Sequence, residues 1–506
     1  MLKGLSEKEV KDQGLNTRDI EIHQRRIQGS LAKNSNSFIK IIDTWRLDNH
    51  GILPQQYLAS KPENSIEGFV AFVPAAGAAS RYFQPLQGLR QALVENHAPA
   101  IRSEIRDLKK QGAESWPLPD ALTGLIQSKD AKFAAEDIAK ALYEIDSPKA
   151  LLPALKAGPS FLKKKRNEHS RIKGLMAEVY VAPLGYSKKF EDHLELGEAA
   201  DGNLLFLEQG SDLCTLRFTR DGLPYRDDEE KISLVPAGHG MLVRLFPAIK
   251  AKFPKAHSLF IRNIDNVIEE EEACYQDSSL FLGQHQQVLM SLKSIRKLLK
   301  SDDLEGASQA ADKLQQSFLS RKNHIPLWVS AEGDAIRILW TVLFELFHCP
   351  LALAEGLKAR LGSKGALQKL YHRPLNALGQ VPNNGKDVGG SPVRAVHENG
   401  EVSICLELPH ASPEDRKNFL ENPATATHFN PVFVAAELPE DIEVYDLEQC
   451  PFWILAEKNI RGTPVVYHEI VLYEVLGNSY TANVLFPEIP RRLFQPHKTL
   501  LDGVKK

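Results

Sequence analysis

Cysteine is scarce in this chain. Five occur in 506 residues, at Cys214, Cys274, Cys349, Cys405 and Cys450, and no two are close enough to make the paired spacing of a structural zinc site. An odd count at wide spacing excludes a disulfide framework and makes a reducing compartment, the cytoplasm, the expectation. No cysteine has an evident histidine base beside it, so none is assigned chemistry.

Long apolar runs are also missing. No stretch approaches the roughly 20 apolar residues of a membrane-spanning helix. The start, MLKGLSEKEVKDQGLNTRD, is charged and lacks the apolar centre of a signal peptide. No membrane partner is expected. Neither sign of charge prevails, the formal net charge being -3. Nucleic-acid binding needs a basic face to offset phosphate charge, so no nucleic-acid partner is expected either. The densest basic run, Lys163-Lys164-Lys165-Arg166, reads as a solvated turn or helix end, and the carboxylates Asp227-Asp228 as part of a solvated charged run. There is no repeat, no low-complexity tract, no P-loop with its Lys-Ser/Thr pair and no three-glycine dinucleotide fingerprint.

What remains is an ordinary globular composition, 43% hydrophobic and 25% charged. The length leaves room for two or three packed units. Ser6 to Leu47 mixes charged and apolar residues at helical spacing, broken near Gly14 to Thr17, and reads as two or more helices. Phe69 to Val73 is a short continuous apolar run, which suits a strand buried on both faces. Small residues follow it, and a helical pattern resumes over Leu86 to Val94. Ile101 to Tyr143 reads as at least two helices, interrupted by Gly112, Pro117 and Pro119. Leu213 to Thr219 and Ser258 to Ile264 read as strands. Glu269 to Leu361 is helical in pattern, and from Leu375 onward short strands alternate with proline and glycine turns. The expectation is an α/β protein with an N-terminal helical region (1–60), a first part of the core (61–268), a helical insert (269–370), and the remainder of the core with a smaller C-terminal α+β region (371–506).

Four places could carry chemistry. The first is Pro74-Ala75-Ala76-Gly77-Ala78-Ala79-Ser80-Arg81. Small residues let backbone N–H groups approach a phosphate, the following helix directs its positive end there, and Arg81 would add a permanent charge. The bland reading is a turn kept small for packing. The second is Lys149 in Ser147-Pro148-Lys149, either a phosphate contact or a solvated turn lysine. The third is Pro236-Ala237-Gly238-His239-Gly240, whose glycines would admit a base, ribose or sugar while His239 donates a hydrogen bond; the alternative is a histidine satisfied near a helix start. The fourth is Asp265-Asn266 at the end of a strand, where ligands of open α/β sheets gather and where a carboxylate could hold magnesium. The bland reading there is a turn stabilised by Asp and Asn side chains. Asn383 to Pro392 could be a loop that closes on a ligand, or a plain surface loop.

In this order the four elements resemble the sugar-nucleotidyltransferase superfamily, in particular its UDP-sugar pyrophosphorylase branch. Ala75 to Arg81 is similar to the opening loop, Pro148-Lys149 to the Pro-Lys pair, Pro236 to Gly240 to the uridine- or sugar-contacting loop, and Asp265-Asn266 to the strand-end residues near sugar nucleotide and metal. Over nearly its full length the chain resembles a bacterial family catalogued only as domain of unknown function 4301, through VPAAGAASR, PKALLP, PAGHG, FIRNIDNV, FNPVFVAAEL and ANVLFPEIPRRLFQPHKTLLDG. The resemblance implies a nucleotide-diphospho-sugar transferase-like (GT-A/Rossmann-like) mixed-sheet core. It also implies Arg81, Lys149 and Asp265 as catalytic residues and Ala75, Ala76, Gly77, Gly238, His239, Gly240 and Asn266 as nucleotide or sugar contacts. Mg2+ on Asp265 is the implied metal. The substrates would be an NTP and a sugar 1-phosphate, exchanged for an NDP-sugar and pyrophosphate. An NDP-sugar-dependent glycosyltransferase and a non-catalytic sugar-nucleotide-binding protein are the alternatives.

Overall fold

The computed structural model describes residues 3–504, apart from 33–38, 56–64, 78–81, 129–132, 157, 195–201, 228, 269–271, 318–324, 386–388, 398–399, 450–452 and 461. The architecture is mixed α/β: a multi-stranded sheet with flanking helices. The chain divides into two units. The first holds Met1–Val70, Gly210–Ile261 and Asp277–Arg491; the second holds Ala71–Gln209, Arg262–Gln276 and Arg492–Lys506.

Three strands, in the second unit except for Phe69 and Val70, run in the order Phe69–Pro74, Leu175–Pro183, Leu204–Gln209. The apolar run after Gly68 is a strand with all six residues buried. Leu175–Pro183 and Leu204–Gln209 pair in parallel, with Val179 opposite Leu205 and Val181 opposite Leu207. A parallel strand is covered on both faces, which is why its sequence is continuously apolar instead of alternating. The helices Gln87–Val94, Ala98–Lys110, Asp120–Gln127 and Ala135–Ile145 follow the helical pattern of the sequence. Ala98–Lys110 buries Ile101, Ile105 and Leu108, one stripe at a spacing of four and three. The core they share includes Val73, Tyr82, Phe83, Leu89, Ile101, Leu122, Phe161 and Tyr180.

In the first unit the helices Glu7–Asp12 and Thr17–Ala32 bury Val10, Ile20 and Ile27 with Leu216 and Phe218. The stretch read as helical up to Leu47 ends differently. Lys40–Thr44 is a strand, antiparallel to Ser391–His397, with Ile41 opposite Ala395. Its β-branched residues suit a sheet, but the strand it pairs with is hundreds of residues away, beyond the reach of local periodicity. Four more strands lie side by side in the order Asn483–Leu485, Leu375–Leu378, Phe433–Glu437, Ser258–Arg262, the last with every residue buried. Arg262, its final residue, begins a segment of the second unit. The apolar pattern predicts this strand as far as Ile264 and Leu213 to Thr219 as one strand. The structure ends the former at Arg262 and splits the latter into Cys214–Leu216 and Phe218–Thr219. Between 272 and 372 the chain forms the helices Glu272–Lys300, Leu304–Ser317, Asp334–Glu345 and Leu351–His372, the last broken at Gly362. Among the described residues no helix is long and apolar enough to cross a membrane.

Candidate functional site

In the second unit, side chains from five separate stretches meet around Lys149. Pro148 leads into a short 3-10 turn, Lys149–Leu151, which turns the lysine inward, and Lys149 is buried. Its Nζ lies 3.4 Å from Asp265 Oδ2, across 116 residues of sequence, and donates a hydrogen bond to the carbonyl of His497. The ammonium also sits 5.0 Å from the ring centres of both Tyr82 and Phe161, a distance at which ring quadrupoles attract a cation. Tyr82 is fixed by donating its hydroxyl to Pro153 O at 3.0 Å. His497 N donates to Asp265 O at 2.9 Å, which holds the two chain segments in register.

The ion pair is loose. A tight charge-assisted bond would be about 2.7–2.9 Å. The Asp265 side chain is 24% exposed and that of Lys149 10%, so the carboxylate is the wet tip and the lysine the floor. Burial pushes the Lys149 ammonium below its ordinary range, and the Asp265 carboxylate opposes that shift.

Beneath this pair lies a second group that the sequence reading missed. Lys163 to Arg166 was expected to be solvated, but it forms part of the helix Phe161–His169, and Lys165 on it is fully buried. Glu168 is 2% and Arg262 0% exposed. Lys165 Nζ donates to Glu168 Oε2 at 3.1 Å and to the carbonyl of Asn266. Arg262 pairs with the other Glu168 oxygen and donates Nη2 to the same Asn266 carbonyl at 3.2 Å. A signal existed in the sequence: Phe161, Lys165, Glu168 and His169 recur at helical spacing and share the buried face. Lysine on an apolar face is so seldom buried that the pattern reads as solvated.

Asn266 is committed to the scaffold. Its side-chain nitrogen donates to Leu493 O at 3.1 Å and its side-chain oxygen accepts from Gln495 N at 2.9 Å. Both functional atoms are spent on the 493–495 segment, so the residue shapes the turn that presents Asp265.

The small-residue loop is described only in its first half. Ala75 is buried and its N–H donates to Val181 O at 2.9 Å, so it continues the strand's bonding and has no free donor. Ala76 is half-buried and Gly77 exposed. Among the described residues nothing lies within 4 Å of where a Gly77 Cβ would sit. Ala78, Ala79, Ser80 and Arg81 lie outside the described residues.

The loop at Gly238, His239 and Gly240 belongs to the first unit. Gly238 has φ +99°, and a Cβ on it would lie 2.4 Å from the Ile470 carbonyl oxygen. Gly240 N donates to that same oxygen at 2.8 Å, and its Cβ would lie 2.5 Å from Val471 O. Backbone packing against Ile470 and Val471 therefore accounts for both glycines. His239 is exposed. Gly238→Ala is expected to cost about 2 kcal/mol or more, from the positive φ and the backbone clash. Gly77→Ala should cost nearly nothing. Urea unfolding of the two variants checks the contrast, and equal stabilities would overturn it.

Among the described residues no group of three or more His, Cys, Asp or Glu side chains is placed to hold a metal ion. Asp265 is a single carboxylate, already paired with Lys149. This donor set suits magnesium only as an ion carried on phosphate oxygens, a mode that needs one or two protein carboxylates.

No family model matches the chain. No curated protein matches it. Among solved structures it is similar to a "putative UDP-N-acetylglucosamine pyrophosphorylase from Entamoeba histolytica", at 12% identity and a TM-score of 0.41, over 92% of this chain and 86% of that one.

Proposed function

We propose that the Lys149–Asp265 cluster is a phosphate site and that the chain is a sugar nucleotidyltransferase of the pyrophosphorylase kind. The observation that carries this reading is a quarter-exposed carboxylate and a buried lysine meeting just past a strand end, from positions 116 residues apart. Burying a lysine is costly unless something repays it. A phosphate ligand would do so, and Lys149 would then share its charge with the incoming anion. The order of the motifs along the sequence adds support, since it resembles that of the UDP-sugar pyrophosphorylases and of the uncharacterised bacterial family.

In this reading a phosphate oxygen of the sugar 1-phosphate attacks the α-phosphorus of the NTP. The bond between the α-phosphorus and the bridging oxygen breaks, and pyrophosphate leaves with the electron pair. Lys149 stabilises the charge that builds on the phosphates, and Arg81 is proposed to do the same. The attacking oxygen is already ionised near neutral pH, so no general base is required. Positioning and electrostatics suffice for such chemistry. Magnesium, arriving on the NTP, would neutralise phosphate charge there, with Asp265 as its protein carboxylate. Ala76 and Gly77 are proposed to let the backbone close on the nucleotide. Gly238, Gly240 and Asn266 are left out of the site, because their packing already explains them; His239 is exposed, and a contact from it to nucleotide or sugar stays a proposal.

The test is pyrophosphate release by purified protein with magnesium and a matrix of NTPs and sugar 1-phosphates, comparing wild type with Asp265→Ala. Release that depends on one substrate pair and falls at least about 100-fold in the variant supports the reading. Nucleotide binding without release would turn the reading to a sensor. Sugar transfer with NDP release would turn it to a glycosyltransferase.

A further inference from the structure

We propose that the rings of Tyr82 and Phe161 hold the Lys149 ammonium charged and in place, which makes both of them positioning residues of the phosphate site. The inference rests on the reading of Lys149 as a phosphate contact. Its first support is geometry. The two rings stand nearly at right angles, with 82° between their planes and 5.7 Å between their centres. Lys149 Nζ lies over both rings, 5.0 Å from each centre, in the corner they form. A cation within about 6 Å of a ring centre is attracted by the negative π face. Both rings are buried, so water does little to screen that attraction.

The second support is how the rings are tied. Tyr82 donates its hydroxyl to Pro153 O at 3.0 Å. Phe161 N donates to Leu152 O at 2.9 Å, and Leu152 N donates to Lys149 O at 3.0 Å. Both ring-bearing residues are therefore bonded to the two residues that follow the turn Lys149–Leu151. Phe83 and His497 pack edgewise behind them, with ring centres 5.4 Å from Tyr82 and 6.2 Å from Phe161. Rings and lysine turn form one connected group. Tyr82 also follows Arg81 directly, so the residue that holds Lys149 anchors the end of the small-residue loop.

The third support is chemical. Burial favours the neutral amine, so a buried ammonium needs something to stabilise it. A further carboxylate would do so, but it would cancel the charge and repel a phosphate. An aliphatic side chain would return nothing. An aromatic face attracts the cation and carries no net charge, so the positive charge stays available to an anion.

Other groups also act on this ammonium. Burial lowers it, Asp265 and Asp502 oppose that shift, and Lys498 adds to it. The Tyr82 hydroxyl is pushed up by burial and by Asp502, and stays protonated. His497 turns Nδ1 to Ala154 O at 3.1 Å, and Lys165, on the Phe161 helix, bonds Glu168 and the Asn266 carbonyl. Fluorine placed on the Phe161 ring alters none of these groups, so it isolates the ring.

The experiment replaces Phe161 by mono-, di- and trifluorophenylalanine, which nearly keep the ring's shape and progressively weaken its negative face. Binding of inorganic pyrophosphate to the full chain is measured by calorimetry, in magnesium-free buffer, from about pH 7 to about pH 9.5, beside wild type and Lys149→Met. At the alkaline end affinity should fall with each fluorine, to about fivefold below wild type in the trifluoro variant. The difference should narrow toward neutral pH, where protonation restores the charge in every variant. Tyr82→Leu should repeat the loss, and Tyr82→Phe, which keeps the ring, should restore the wild-type profile.

A purely structural role predicts no trend with fluorine, because the packed volume hardly changes. A flat series, in a protein whose pyrophosphate binding is lost in Lys149→Met, overturns this inference alone and leaves the phosphate site standing. Pyrophosphate that does not bind, or binds equally well to Lys149→Met, overturns the phosphate reading and the positioning role with it. Should the fluorinated proteins fail to fold, the Tyr82 pair decides. Equal affinities of the Leu and Phe variants overturn the inference, and a weaker Leu variant at alkaline pH supports it.

Discussion

Lys149→Met is expected to lower pyrophosphate release by about 10²–10³-fold, the usual effect of removing one preorganised charge from a transferring phosphate. The fold should survive. Methionine keeps an unbranched stem, and its thioether can sit against the Tyr82 and Phe161 rings that the ammonium now faces. What is lost is the bond to the His497 carbonyl and the loose contact with Asp265. A buried carbonyl left without a donor costs about 1–3 kcal/mol. Against that, the ammonium no longer has to be buried, which returns part of the loss. Asp265 is not stranded, because a quarter-exposed carboxylate keeps its contact with water. Activity and urea denaturation measured on the same preparation check both halves. Turnover within about threefold of wild type would remove Lys149 from the chemistry. Loss of activity together with loss of the folded state would make Lys149 an anchor for the C-terminal segment.

Stability of the first unit should fall steeply between pH 7 and pH 5, because it buries neutral histidines. His285 is the clearest. It is 1% exposed, its Nε2 lies 3.1 Å from Ser258 Oγ, and its Nδ1 has no hydrogen-bond partner among the described residues. Burial, helped by the neighbouring His257, lowers it from the ordinary 6.5 to about 3. His23, close against His468, is likewise lowered to about 3, and burial lowers His410 to about 4. In each case the folded value lies below the unfolded one. The unfolded chain therefore binds more protons at mildly acidic pH, and stability rises with pH. The contribution is complete above 6.5 and is lost as pH falls from there toward the folded value. Over two pH units each such histidine accounts for about 2 kcal/mol, against a whole-domain stability of only about 5–15 kcal/mol. The check is urea unfolding of wild type and His285→Gln at pH 7 and pH 5. Wild type should lose about 2 kcal/mol more than the variant between the two. Equal losses would mean that His285 takes up its proton without unfolding.

The buried strands and the helices of the second unit could be read from local sequence alone. Phe69–Pro74 and Ser258–Arg262 are continuously apolar, and a run of that length has to be covered on both faces wherever the chain goes. The helices from Ala98 to Ile145 were legible in the same way, because 3.6-residue periodicity and the proline and glycine breaks are local properties. Lys149 and Asp265 were visible as candidates, each from its own few neighbours. The rest depended on contacts between distant parts of the chain. It closed the 116-residue gap between that lysine and that carboxylate, paired Lys40–Thr44 with Ser391–His397, and gave Gly238 and Gly240 a reason in the Ile470 and Val471 backbone. It also put Lys165 inside the protein, against the usual preference of lysine for water, because Glu168 and the Asn266 carbonyl were waiting there. Periodicity states which face of an element is buried. What that face meets, and whether a buried charge finds its partner, depends on residues far away in the chain.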